Sequence, residues 1–123
     1  MNTSDRFAEG LQRLERERDP DGLLGLFADE IELLRPEPGS REQGLAGARR
    51  FWQAYLDQFQ EVRSEFMRVE ESGQLGVLVW VSRGQLIDGR DIAQIRVALL
   101  VIEDAKIRRV TTYYDTAAFT APL

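Results

Sequence analysis

Apolar positions along the first third of the chain recur every three to four residues. Phe7, Leu11 and Leu14 follow one helical face, with Arg and Glu on the others. Ser4 or Asp5 can cap this helix, and Asp19-Pro20 ends it. Asp19 is placed to cap a second helix that begins at Pro20 and is buried through Leu23, Leu24, Leu26 and Phe27. Ala28-Asp29-Glu30 leads into a short strand from Ile31 to Arg35, and residues 36–44 read as a loop from their Pro, Gly and Ser content. A third helix carries Leu45, Ala48, Phe51, Trp52, Tyr55 and Phe59 at helical spacing.

From Glu61 the period shortens to two. Residues 61–71 form a half-exposed strand that turns at Ser72-Gly73, and residues 75–85 form a β-rich run centred on Val77 to Val81. Asp88-Gly89 is a hairpin signal, after which residues 91–103 pair back; Asp104-Ala105 turns into a final strand that closes on Tyr113-Tyr114-Asp115. There are no internal repeats, low-complexity tracts or linkers, so residues 1–123 are expected to make one domain.

Three helices followed by a long-stranded antiparallel sheet predict an α+β cone: a strongly curved sheet wrapped around three N-terminal helices, with room for a cavity between the layers. The sheet is apolar on both faces. Val77, Val79 and Val81 alternate with Leu78 and Trp80, and Ile95, Val97, Leu99 and Val101 alternate with Ala98, Leu100 and Ile102. One face packs on the helices; the other is expected to be covered by a second copy of the chain in a homodimer.

Composition removes several chemistries. The chain has no cysteine, which excludes disulfides, thiol nucleophiles and thiolate metal sites and accords with a reducing, cytoplasmic setting. It has no histidine, so Ser-His-Asp or Cys-His catalysis and an ordinary zinc site are excluded, and no cofactor or metal is expected. Acid–base work then falls to Asp, Glu, Tyr or Lys, and a carboxyl group would need its pKa raised by burial. The net charge of −5 is spread in both signs, with Arg49-Arg50 and Arg108-Arg109 as doublets rather than patches. That argues against a nucleic-acid or anionic-membrane partner. The first residues carry no apolar run that would serve as a signal peptide, and no window reaches the ~20 apolar residues of a membrane span.

Residues 21–29, residues 44–52 leading into the third helix, Asp88-Gly89-Arg90, Lys106-Ile107 and Tyr114-Asp115 stand in an order and spacing that resemble the nuclear transport factor 2-like superfamily, in particular its SnoaL-like and ketosteroid-isomerase-like branch. The resemblance spans nearly the whole chain. It implies the cone fold, a pocket for a small apolar molecule and a dimer through the sheet. Position by position it departs from the best-known active sites. The isomerase base, just before the proline after the first strand, is Arg35 here, and the two oxyanion donors fall at about Leu11 and Ala98. Dienolate chemistry by that constellation is therefore disfavoured. Limonene epoxide hydrolases place an Arg-x-Asp pair where this chain has Trp80-Val81-Ser82, with Arg83 one residue out of phase and so on the opposite face. Their final Asp does have a counterpart in Asp115. SnoaL-like cyclases use an acidic residue in the cone for aldol closure, and Asp115 resembles it best.

Each candidate has a structural alternative. Asp115 is the candidate catalytic residue, or it caps the turn formed by Thr116 and Ala117. Arg35 clamps an anionic ligand, or it pairs with Asp115, Glu32 or Glu37. Tyr55 and Trp80 line an apolar pocket, or they are plain core. Ser82 and Arg96, with Gln94 in phase, reach inward to bind ligand, or serve an exposed sheet face. Tyr113 shares the phase of Asp115 and is expected as the pocket phenol. Two functions from different classes follow. One is an enzyme of cyclase, isomerase or hydratase type acting on an apolar carbonyl compound, which requires Asp115 to be buried in an apolar cavity with its pKa raised. The other is a non-catalytic ligand-binding or dimerisation module of the same fold.

Overall fold

The structure, a computed structural model, describes residues 1–119. Helix α1 runs Thr3–Glu17, α2 Asp21–Leu24 and α3 Gly44–Asp57; the strands are β1 Phe27–Leu34, β2 Glu42–Gln43, β3 Phe59–Ser72, β4 Leu75–Leu86, β5 Asp91–Glu103 and β6 Lys106–Tyr113. A short 3-10 turn, Thr116–Phe119, follows. The strands form one curved, unclosed sheet in the order β2-β1-β6-β5-β4-β3, with α1 lying across β3 and α3 against β1.

The expected α+β cone is present, with local corrections. Asn2, rather than Ser4 or Asp5, caps α1: its side chain accepts the Asp5 N–H while Asp5 accepts the Asn2 N–H, a reciprocal capping box. Ser4 is instead buried, and its N–H and Oγ both bind Glu71 of β3 at 2.9 and 2.7 Å. The second helix is a single turn, because the chain leaves it at Gly25; Leu26 leads to β1, which starts at Phe27, four residues before the expected Ile31. β1 itself pairs in parallel with β6, so the sheet is not wholly antiparallel. Within the expected loop, Glu42-Gln43 adds a short edge strand to β1.

The β5–β6 hairpin contains the feature that most affects the interior. Asp104 and Ala105 both take left-handed backbone, φ 52° and 60°, without a glycine to ease it. One pair further on, Ile102 faces Ile107 but Val101 faces Arg109, so Arg108 is an extra residue on β6. Such a bulge reverses which residues of the strand face inward. Ile107 and Val110 are therefore both fully buried although they stand three residues apart.

The core is one cluster in which Phe7, Leu11 and Leu14 of α1 and Phe51, Trp52 and Leu56 of α3 meet Leu78, Trp80, Ala98, Leu100, Ile107 and Val110 of the sheet. At Gly84, β4 runs so close to β3 that a Cβ would stand 2.2 Å from the Glu61 carbonyl oxygen and 2.8 Å from Val62 Cα. Both obstacles are backbone and cannot rotate aside. Gly84→Ala is expected to cost at least ~2 kcal/mol and to lower the melting temperature by several degrees. An unchanged thermal transition would show that the two strands separate freely at this point.

Candidate functional site

The interior of the cone holds a buried polar chain. Glu15 lies one turn past Leu11 on the apolar stripe of α1 and is only 8% exposed. The Tyr55 hydroxyl, on α3, donates to its Oε2 at 2.6 Å, and the Ser64 hydroxyl, on β3, donates to the same oxygen at 2.7 Å. Glu15 Oε1 has no partner among the described residues. Burial raises the Glu15 pKa above the ordinary carboxyl range, and the two hydroxyl donors only partly oppose it. Burial, reinforced by the neighbouring Glu15 carboxylate, also pushes the Tyr55 phenol up, so it stays a neutral donor.

Towards the open end stands Arg96 of β5, 3% exposed. Its Nε donates to Gln94 Oε1 at 3.1 Å, and Gln94 Nε2 donates to the Asp115 carbonyl oxygen at 2.6 Å. This relay fastens the segment after β6 to the sheet. The Arg96 guanidinium lies 4.0 Å from the ring centre of Tyr114 and 5.4 and 5.6 Å from those of Tyr55 and Phe119. Burial lowers its pKa from the usual arginine value. Arg35, just past β1, is half-buried with its guanidinium 4.6 Å over the Phe51 ring. The Tyr114 hydroxyl donates to Glu37 at 2.8 Å.

Aromatic rings wall this space. Phe51, Trp52, Tyr55 and Phe59 follow one another edge to face at centroid distances of 5.1, 5.9 and 5.3 Å, and Phe119 continues the series to Tyr114 at the mouth. What remains between them is a cavity of ≈ 10 Å³, about the room for one water.

Of the residues proposed from sequence, Arg35, Tyr55, Trp80 and Arg96 line this cavity together. Ser82 is buried beside them without a hydrogen-bond partner among the described residues. Tyr113 and Asp115 are corrections. The β6 bulge turns Thr112 and Tyr114 inward and leaves Tyr113 52% exposed on the outer face, so Tyr114 is the pocket phenol. Asp115 is exposed as well, and its Oδ1 accepts the Ala117 N–H at 3.0 Å, a cap on the following turn. The burial required of an acid–base carboxyl group is met at Glu15, not at Asp115. Sequence reasoning passed over Glu15, although a carboxylate four residues after Leu11 on an apolar stripe was a visible signal.

Comparison with known proteins agrees with the architecture. The SnoaL-like domain profile matches residues 5–110. No curated protein matches the chain significantly by sequence. An NTF2-like protein of unknown function from Burkholderia pseudomallei superposes with a TM-score of 0.84 at 20% identity, covering 98% of this chain and 100% of that one. TerC, crystallised with polyporic acid, superposes at 0.79 with 21% identity over 95% and 92% of the two chains. A protein of ketosteroid isomerase-like fold from Catenulispora acidiphila, in complex with trimethylamine, superposes at 0.81 with 15% identity over 95% and 88%. Among the described residues no helix is long and apolar enough to cross a membrane.

The raised pKa of Glu15 has a signed consequence for stability. The folded protein holds this proton more tightly than the unfolded chain, so the contribution is full below the ordinary carboxyl value and is lost as pH rises towards the folded one. Glu15→Gln keeps an oxygen for Tyr55 and Ser64 but cannot ionise. Its melting temperature is expected to gain on wild type as pH rises from about 4 to about 8, past the ordinary carboxyl range. A difference that stays constant over that interval would contradict the assignment.

Proposed function

The chain belongs to the SnoaL-like domain family, and from that premise we propose that its cone carries out proton transfer beside a carbonyl group, the step common to cyclase- and isomerase-type chemistry, with Tyr55 and Glu15 as the acid–base pair. One observation carries the reading: a carboxyl group is kept inside an apolar core and is hydrogen-bonded to a phenol that lines the cavity. Burying an ionisable carboxylate costs several kcal/mol that a leucine at the same position would avoid. Tyr55 touches the ligand; Glu15, which does not line the cavity, stores the proton. In the forward step the substrate C–H bond next to the carbonyl breaks. Its proton passes to the Tyr55 oxygen as the Tyr55 proton passes to Glu15 Oε2, and the electron pair moves into the carbonyl to give an enolate. Arg96 lies close enough to the Tyr55 ring to hold the enolate oxygen. Return of the proton to another carbon isomerises the compound; attack by the enolate carbon on a second carbonyl closes a ring, and the alkoxide formed as that C=O π bond breaks takes the proton back from Glu15 through Tyr55. The crystallisation of TerC with polyporic acid supports a conjugated oxygenated molecule as the kind of compound the cone accepts.

A second reading, a non-catalytic ligand-binding module, draws on the small cavity. Either reading requires the mouth, where Tyr114 and Phe119 stack, to open for ligand.

The outer sheet face favours a homodimer. The β4–β5 register sets Leu75 against Val101, Val77 against Leu99, Val79 against Val97 and Val81 against Ile95, four successive apolar pairs. Charged positions of β3 (Glu65, Arg68 and Glu70) flank the stripe on one side, and Arg109, Thr111 and Tyr113 of β6 flank it on the other. A stripe of this kind is self-complementary about a twofold axis.

Two measurements test these proposals. In deuterated buffer, wild type is expected to speed exchange of the α-protons of 1-tetralone or acetophenone, read by proton NMR, and Glu15→Gln and Tyr55→Phe are each expected to lose about 100-fold or more of that acceleration. A wild type no faster than buffer on both ketones, or variants as fast as wild type, would refute the acid–base pair. In sedimentation, wild type should run at twice the 14.1 kDa chain mass and Val79→Arg at the single mass. Wild type sedimenting as a single chain at tens of micromolar, a concentration any stable dimer of this interface type would populate, would rule the dimer out.

A further inference from the structure

Four buried side-chain N–H donors in the cone end without an acceptor among the described residues: Arg96 Nη2, Arg35 Nε, Trp52 Nε1 and Trp80 Nε1. All four belong to residues that line the same cavity. None of these groups can accept a hydrogen bond, so among the residues that line the cavity the imbalance has one sign. Two carboxylates stand near enough to Arg96 to act on it electrostatically, Glu37 and Glu15. Both are taken up by hydroxyl donors instead: Glu37 by Tyr114, and Glu15 by Tyr55 and Ser64. Neither forms an ion pair with Arg35 or Arg96 among the described residues. The hydroxyls thus occupy Glu15 Oε2 and Glu37, leaving Glu15 Oε1 without a partner among the described residues and away from the cavity lining, and the guanidinium and indole N–H groups remain for a ligand.

We infer that the cone binds an anion: a planar, conjugated molecule whose carboxylate or enolate oxygens are held by Arg96 and Arg35, with the indole N–H groups of Trp52 and Trp80 as further donors. The aromatic walls suit a flat conjugated body, and the arginines suit its charged oxygens. The inference rests on the cone being the ligand site, but not on proton transfer taking place there.

Calorimetric titration of the full chain with 1-naphthoate and with its uncharged isostere 1-naphthamide tests it. Wild type is expected to prefer the carboxylate about tenfold or more, the worth of one charge-assisted hydrogen bond. Arg96→Met should bring the two affinities within about twofold, and Arg96→Lys should keep a reduced preference. Equal affinities in wild type, binding of neither compound, or a full preference surviving in Arg96→Met would overturn the proposal. Should Arg96→Met lose its native circular dichroism, Arg35→Met takes its place, with the wild-type preference deciding on its own. Naphthoate binding without ketone exchange would remove the acid–base reading and leave the anion site standing.

Discussion

A carboxyl group enclosed in an apolar cone must be satisfied by its immediate neighbours or stay protonated, and much of the interior answers to that condition at Glu15. The helix that carries it is otherwise an ordinary amphipathic one, buried through Phe7, Leu11 and Leu14. Tyr55 comes to it from α3 and Ser64 from β3, 40 and 49 residues along the chain, so three elements meet on one oxygen. The two hydrogen bonds only partly offset the cost of burial, which is why the pKa of Glu15 rises instead of falling. A structural ion pair with Arg96 would have had the opposite effect. Arg96 is directed elsewhere, into Gln94 and the rings of Tyr114, Tyr55 and Phe119.

The second determinant is geometric. β6 begins with Ile107 facing the core, and strict alternation from there would turn Tyr113 and Asp115 inward. The extra residue at Arg108 reverses the phase, so that Val110, Thr112 and Tyr114 face the cone. The clue in the sequence is the pair Ile107 and Val110, three apart in a strand where an even separation is required of residues on one face. The elements themselves were legible from periodicity: β5 has the bounds that the alternation indicates, and β3, β4 and α3 differ only at their ends. Tyr55, Trp80 and Arg96 follow from spacing within single elements and fall where that spacing puts them. Asp115 and Tyr113 depend on counting across a bulge, and the parallel pairing of β1 with β6 depends on tertiary contacts that no local pattern encodes.

The two faces of the sheet divide the labour. Inward residues of β4 and β5 change from apolar at Leu78, Leu100 and Ala98 to polar at Ser82, Gln94 and Arg96 towards the opposite end of the same strands. The outward residues stay apolar from Leu75 to Val81 and turn charged at Arg83, where β4 narrows at Gly84. The proposed chemistry and the proposed association thus use different sides of the same two strands. Side-chain changes on the outer stripe need not disturb the donors inside the cone.

The account stands or falls on the protonation of Glu15. Carbon-13 NMR of the side-chain carboxyl carbons, assigned by loss of one resonance in Glu15→Gln, follows that group directly through a pH titration of the folded protein. A midpoint above the ordinary glutamate range, moving when Tyr55 is replaced by Phe, is the predicted result. A midpoint within or below that range, indifferent to Tyr55, would mean that Glu15 is a plain buried carboxylate and that the cone has no acid–base pair.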